Sequence, residues 1–175
     1  MSLRLWNIGI LLALGLFWLA SGTQREKPVL AGGPSDAVRT LEGDLVKAPG
    51  DPARIRALAQ AYLDARASGM AVATLERAPE AVRAQPETVH MYARALLDQG
   101  RASEALASER KVLAACNAGT DAATHTCSGW LLASATRRAV ILQELVDMGI
   151  EDPNAHPEAS SLAYQHVTRE ARLVP

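Results

Sequence analysis

An all-α fold is what this sequence predicts, and three observations carry the expectation. Alanine and leucine dominate a chain whose aromatic residues are only 4%, and both lose little conformational freedom in a helix. No stretch alternates β-branched and polar residues as a strand would. Apolar positions recur instead at three- and four-residue spacing, as in Val38, Leu41 and Leu45. The 175 residues suffice to bury one modest core. A formal net charge of −1 leaves no basic field for nucleic acid.

Taken in order, residues 5–22, "LWNIGILLALGLFWLASG", carry no charge, follow Arg4 and end before "TQREK". Their length approaches the roughly 20 residues that a helix needs to span a bilayer. Arg4 and the amino terminus would stay cytoplasmic, sending the remainder outward. The expectation is a single-pass bacterial inner-membrane protein with a periplasmic C-terminal domain, anchored over residues 1–22 with Trp6 and Trp18 at the interfaces. Ala20-Ser21-Gly22 offers the alternative, a small-residue cleavage site of a signal peptide. Residues 23–35, with Pro28, Gly32, Gly33 and Pro34, make a flexible linker.

The helical domain is expected over residues 36–175. Ser35 is placed to cap its first helix, and "APGDP" ends that helix, with Asp51 and Pro52 starting the next. "DPARIRALAQAYLDA" and "MAVATLERAPEAVR" form one helix each, and "QPETVHMYARALLDQG" and "RASEALASERKVLAAC" repeat the plan. The repeat shows as a 34-residue offset linking Ala37, Ala71 and Ala105, and it also pairs Pro52 with Pro86. Ile55 and Val89, Leu58 and Tyr92, Ala59 and Ala93, and Tyr62 and Leu96 keep the same offset. Leu41 and Leu75 do too, but Glu109 breaks that series. Residues 130–148 form a later helix stopped by Gly149, and residues 157–172 a last, more polar one suited to cap the stack.

These positions resemble the tetratricopeptide (TPR) family, with Ile55 and Val89 in fourth place and Gly100 as the second unit's turn glycine, replaced by Arg66 in the first. The resemblance covers about residues 36–116; the family's closing proline is missing from both units. It implies a short α-solenoid of antiparallel helical hairpins behind the transmembrane helix. It also implies that the fifth, ninth and thirteenth positions of each first helix face a concave, partner-binding groove. Those positions are Arg56, Gln60 and Asp64, then His90, Arg94 and Asp98. Arg56, Gln60, His90 and Arg94 would suit a carboxylate or the carbonyls of a protein segment. The competing reading is of solvated polar residues paired along one helix, Arg94 with Asp98.

The only cysteines, Cys116 and Cys127, bracket a turn-rich loop where a third unit should begin. With His125 they supply three possible zinc ligands where about four are needed, and no C-x-x-C pair is present. In an oxidising compartment a disulfide is the default, and closing this loop should contribute roughly 2–3 kcal/mol. His90, His156 and His166 are scattered, with no acid or nucleophile spaced nearby to partner them. No hydrolase, zinc-protease or phosphate-loop motif occurs.

The expected function is therefore non-catalytic, with no cofactor and no metal. It is that of a membrane-anchored adaptor or assembly factor that binds protein partners in the cell envelope. The layout is similar to that of cytochrome c biogenesis chaperones. Two alternatives are a permanent subunit of a larger membrane complex, packed through Trp6, Trp18 and its amphipathic helices, and a small enzyme using Cys116 or Cys127.

Overall fold

A computed structural model describes residues 35–118 and 127–173, and every regular element among them is helical. The helices are α1 (Asp36–Lys47), α2 (Pro52–Asp64), α3 (Ser68–Glu76), α4 (Glu80–Arg83), α5 (Pro86–Asp98), α6 (Ala102–Asn117), α7 (Gly129–Asp147) and α8 (Pro157–Leu173). The segments holding Trp6, Trp18 and His125 lie outside the described residues, so the expected anchor does too. Among the described residues no helix is long and apolar enough to cross a membrane.

Local chemistry sets the helix ends. The Asp51 carboxylate accepts the Ala53 N–H at 2.8 Å while Pro52 fills the first turn of α2, where no N–H is missed. Ser128 does the same for α7, accepting the Leu131 N–H at 3.2 Å. Three helices stop in the same way, with one left-handed residue closing the last turn. Gly100 and Gly149 have φ of 74° and 73°, and Arg66 has φ of 56°. At the arginine corner the Ala67 N–H reaches the Tyr62 carbonyl at 2.8 Å and the Arg66 N–H reaches that of Leu63 at 3.0 Å.

One expected element is divided. Residues 70–83 do not form a single helix: α3 ends at Glu76 and α4 is a separate turn from Glu80. Pro79 lies between them. It has no N–H to give and disfavours helical geometry at Ala78 before it. Ala78 and Val82 stay buried on either side of the break, so the chain turns without leaving the core.

Consecutive helices pack as pairs, α2 on α3, α5 on α6 and α7 on α8, while α3 against α5 and α6 against α7 join the pairs into a stack. The recurring alanines Ala59, Ala93, Ala71 and Ala105 are each 0% exposed, which lets the helix axes close up. Ile55, Leu58, Leu75, Leu96 and Leu142 fill the space between. At the far end, Val112 and Cys116 of α6 meet Leu131 and Ala135 of α7 in a smaller apolar cluster. There Cys116 is bonded to Cys127, so the staple ties the end of α6 to the approach to α7.

The start of α6 has no local side-chain cap, and Arg101 provides none. The connector after α7 supplies one instead. The Ser103 N–H donates to Glu151 Oε2 at 3.1 Å, its hydroxyl donates to Oε1, and the Ala102 N–H donates to the Glu151 carbonyl at 3.0 Å. The Ser103 hydroxyl and then its backbone N–H hold the Glu151 carboxyl below its ordinary value of 4.5.

Candidate binding groove

Residues four apart share a helix face, and three helices each turn such a stripe toward one depression of about 350 Å³. Helix α2 contributes Arg56 and Gln60, and α5 contributes His90 and Arg94, with Glu87 and Met91 beside them. Helix α7 adds Trp130, Ser134 and Arg138, with Leu131 behind. Four of the six residues expected in a groove thus meet in one place. Asp64 and Asp98 line a second depression, of about 580 Å³, together with Leu63, Arg66, Ser68 and Asn154. Arg94 lines both.

The cations differ in how they are held. Arg56 donates from Nη1 to Gln85 Oε1 at 2.7 Å. Gln60 donates to Asp64 Oδ1 at 2.6 Å. Arg94 has no hydrogen-bond or ion-pair partner among the described residues, so the Arg94–Asp98 pair of the competing reading does not form. Arg138 donates from Nη1 to Glu109 Oε1 at 2.9 Å and to the His90 carbonyl at 3.2 Å.

His90 departs most from expectation. It is not a solvated groove side chain lacking acid and nucleophile: it is 7% exposed and bonded at both ring nitrogens. Nδ1 lies 2.8 Å from Glu109 Oε2 and Nε2 lies 3.1 Å from Ser134 Oγ. A carboxylate only accepts, so it fixes the proton on Nδ1, and Nε2 then accepts from the serine hydroxyl. The Trp130 ring stands edge-on to the imidazole, 6.1 Å away at 86°, and is itself 72% exposed. Glu109, with no exposure, is thus engaged on one oxygen by histidine and on the other by arginine.

Sequence reasoning missed Glu109, Trp130, Ser134 and Arg138 as parts of this site. For Glu109 a signal existed. It occupies the position that Leu75 and Leu41 hold one and two repeats earlier, and a carboxylate at an interior place must bring a partner. For the residues of α7 there was none, because a turn-rich loop stands where the third unit's first helix, with its groove positions, should be.

The groove therefore presents Arg56 and Arg94 against one lining carboxylate, Glu87, with Arg138 beside them already paired to Glu109 beneath. Guanidinium groups in this number suit a carboxylate, which they can grip through two parallel bonds. Trp130, Met91 and Leu131 offer apolar contact beside it. A larger depression of about 620 Å³ lies between α3, α5 and α6, walled by Leu75, Val89, Tyr92 and Val112. Its lining charges are Glu76, Glu80, Arg83 and Lys111, and Glu76 is already engaged by Tyr92. Tyr92 there donates to Glu76 at 2.8 Å, and burial, then Glu76, pushes its phenol up to about 12.

Among the described residues no cluster of His, Cys, Asp and Glu could hold a metal ion. Comparison with protein-family models, curated proteins and solved structures gives no match to this chain.

Proposed function

We propose that the chain is a membrane-anchored, TPR-like adaptor or assembly factor of the bacterial envelope, and that it grips an anionic, extended segment of a protein partner. The observation that carries this reading is the convergence of Arg56, Arg94 and Arg138 on one groove, with Arg94 unpaired among the described residues. A partner carboxylate would give those guanidiniums charge-assisted bonds that water supplies less well, and Trp130 would cover its apolar neighbour. The 34-residue recurrence and the stacked helix pairs support the repeat-family part of the reading. The uncharged run at residues 5–22 supports the anchor.

The test uses the full chain in detergent and a fluorescent acidic peptide with a free terminal carboxylate. Arg56→Glu with Arg94→Glu should weaken binding at least tenfold, and amidating the peptide should weaken it as well. Unchanged affinity in the double variant refutes the groove reading and favours the permanent-subunit alternative.

A second reading rests on the line Glu109–His90–Ser134, which has the order of acid, base and nucleophile used in acyl transfer. In it, Ser134 Oγ attacks an ester carbonyl as its proton passes to His90 Nε2, the alcohol leaves with that proton, and water then releases the acyl group. A fluorophosphonate probe should mark Ser134 and fail on a His90→Asn variant if this reading holds. An unlabelled native protein removes it.

A further inference from the structure

We infer that the groove is electrically directional, and that it selects an extended peptide bearing an anionic group at one end and a cation a few residues away. This rests on the binding role proposed above and adds the charge pattern and direction of the ligand.

Two depressions that share Arg94 lie along α2 and α5. At one end stand Arg56 and the buried His90 imidazole, with Arg138 from α7, itself paired to Glu109, and the lining carboxylate Glu87. At the other stand Asp64 and Asp98, each eight residues further along the same two helices. Both helices therefore run in the same sense, α2 from the Arg56 guanidinium to the Asp64 carboxylate and α5 from the buried His90 imidazole through Arg94 to Asp98. The acceptors at the acidic end are open. Asp98 is exposed and has no partner among the described residues, while Asp64 has only Oδ1 engaged, by the Gln60 amide. The other charges there are Arg94, shared with the cationic end, and Arg66 on the exposed corner between α2 and α3. Asp98 would receive a ligand cation from one wall and Asp64 from the other.

Helix geometry sets the spacing. Eight residues at about 1.5 Å each separate the two ends by about 12 Å. An extended peptide advances about 3.3 Å per residue. The ligand cation thus belongs three to four residues from the anionic group. A uniformly acidic segment fits the cationic end only, and a segment with the opposite order meets like charge at both.

The test compares three fluorescent peptides by anisotropy on the full chain in detergent. One carries Lys four residues before a free C-terminal carboxylate. The second replaces that Lys with Ala. The third, amidated, has Glu in the Lys position and Lys at the end. The first should bind at least fivefold tighter than the second, and the third should bind weakest. Asp64→Asn with Asp98→Asn, both at exposed positions, should equalise the first two. A Lys→Glu version of the first peptide should regain affinity on an Asp64→Lys, Asp98→Lys variant. Equal binding of the first two peptides to the native protein, or a preference that survives the Asn pair, overturns the inference while leaving the arginine groove standing. Loss of the Ala peptide's sensitivity to Arg56→Glu and Arg94→Glu would instead remove the groove reading and this inference with it.

Discussion

Replacing Arg138 by methionine keeps the aliphatic stem and removes the guanidinium from Glu109, whose side chain is 0% exposed while that of Arg138 is 24%. Breaking a buried pair by deleting one partner typically costs about 3–5 kcal/mol, because the remaining charge is left uncompensated. Two features lower that here. Arg138 keeps partial contact with water, which screens the pair, and His90 still donates to the other Glu109 oxygen at 2.8 Å. The expected loss is therefore about 2–4 kcal/mol. With a urea m-value of ~2 kcal/mol/M, that moves the unfolding midpoint down by about 1–2 M. Adding Glu109→Gln removes the stranded charge yet keeps an oxygen for His90. The double variant should accordingly be more stable than Arg138→Met alone, and the cycle strongly non-additive. Urea titration of the four proteins, followed by far-UV circular dichroism, reads this directly. An Arg138→Met midpoint within experimental error of the native one, or strictly additive losses, would refute the buried-pair argument.

Further outcomes follow from other contacts. Arg66→Gly should raise stability by up to ~1 kcal/mol, because a left-handed non-glycine residue costs about 1–2 kcal/mol and glycine returns part of that in chain entropy; a lower melting temperature would contradict it. The Glu151 carboxyl, held below 4.5 when folded, contributes stability that is present above pH 4.5 and fades as pH falls through its folded value. The stability gap between native protein and Glu151→Gln should therefore be constant near neutrality and close under acid, as read by urea melts across pH. Cys116→Ser with Cys127→Ser should cost about 2–3 kcal/mol, and a reductant should reproduce that loss in the native protein and none in the variant.

The fold was legible where chemistry repeats. The 34-residue recurrence of Ala59 with Ala93 and Ala71 with Ala105 marks contacts where only a small side chain fits, and all four are wholly buried. The turn glycine position held too: Gly100 and its arginine counterpart Arg66 both adopt the left-handed corner. Pro79 stands inside the segment whose spacing predicts one helix, and the backbone geometry that proline imposes divides it. Contacts between distant segments were not legible. His90 lies 19 residues from Glu109 and 44 from Ser134. The Glu151 cap acts across 48 residues. Periodicity orders residues along a helix and says nothing of which helix faces them.

Glu109 links the packing to the groove. A leucine there would continue the series of Leu41 and Leu75 and spare the desolvation of a carboxylate, so an apolar core alone gives no reason for it. What the carboxylate does is join three helices: it sits on α6, accepts from His90 of α5 and accepts from Arg138 of α7. Those bonds fix the imidazole at the groove floor and hold Arg138 beside it, while the nearby disulfide ties the end of α6 to the approach to α7. The cationic wall thus depends on a buried charge one layer below it. Arg138→Met and Glu109→Gln should both weaken peptide binding, the second with the lining arginines intact. If Glu109→Gln leaves affinity for the acidic peptide unchanged while lowering stability, the carboxylate serves the stack alone and the groove stands without its support.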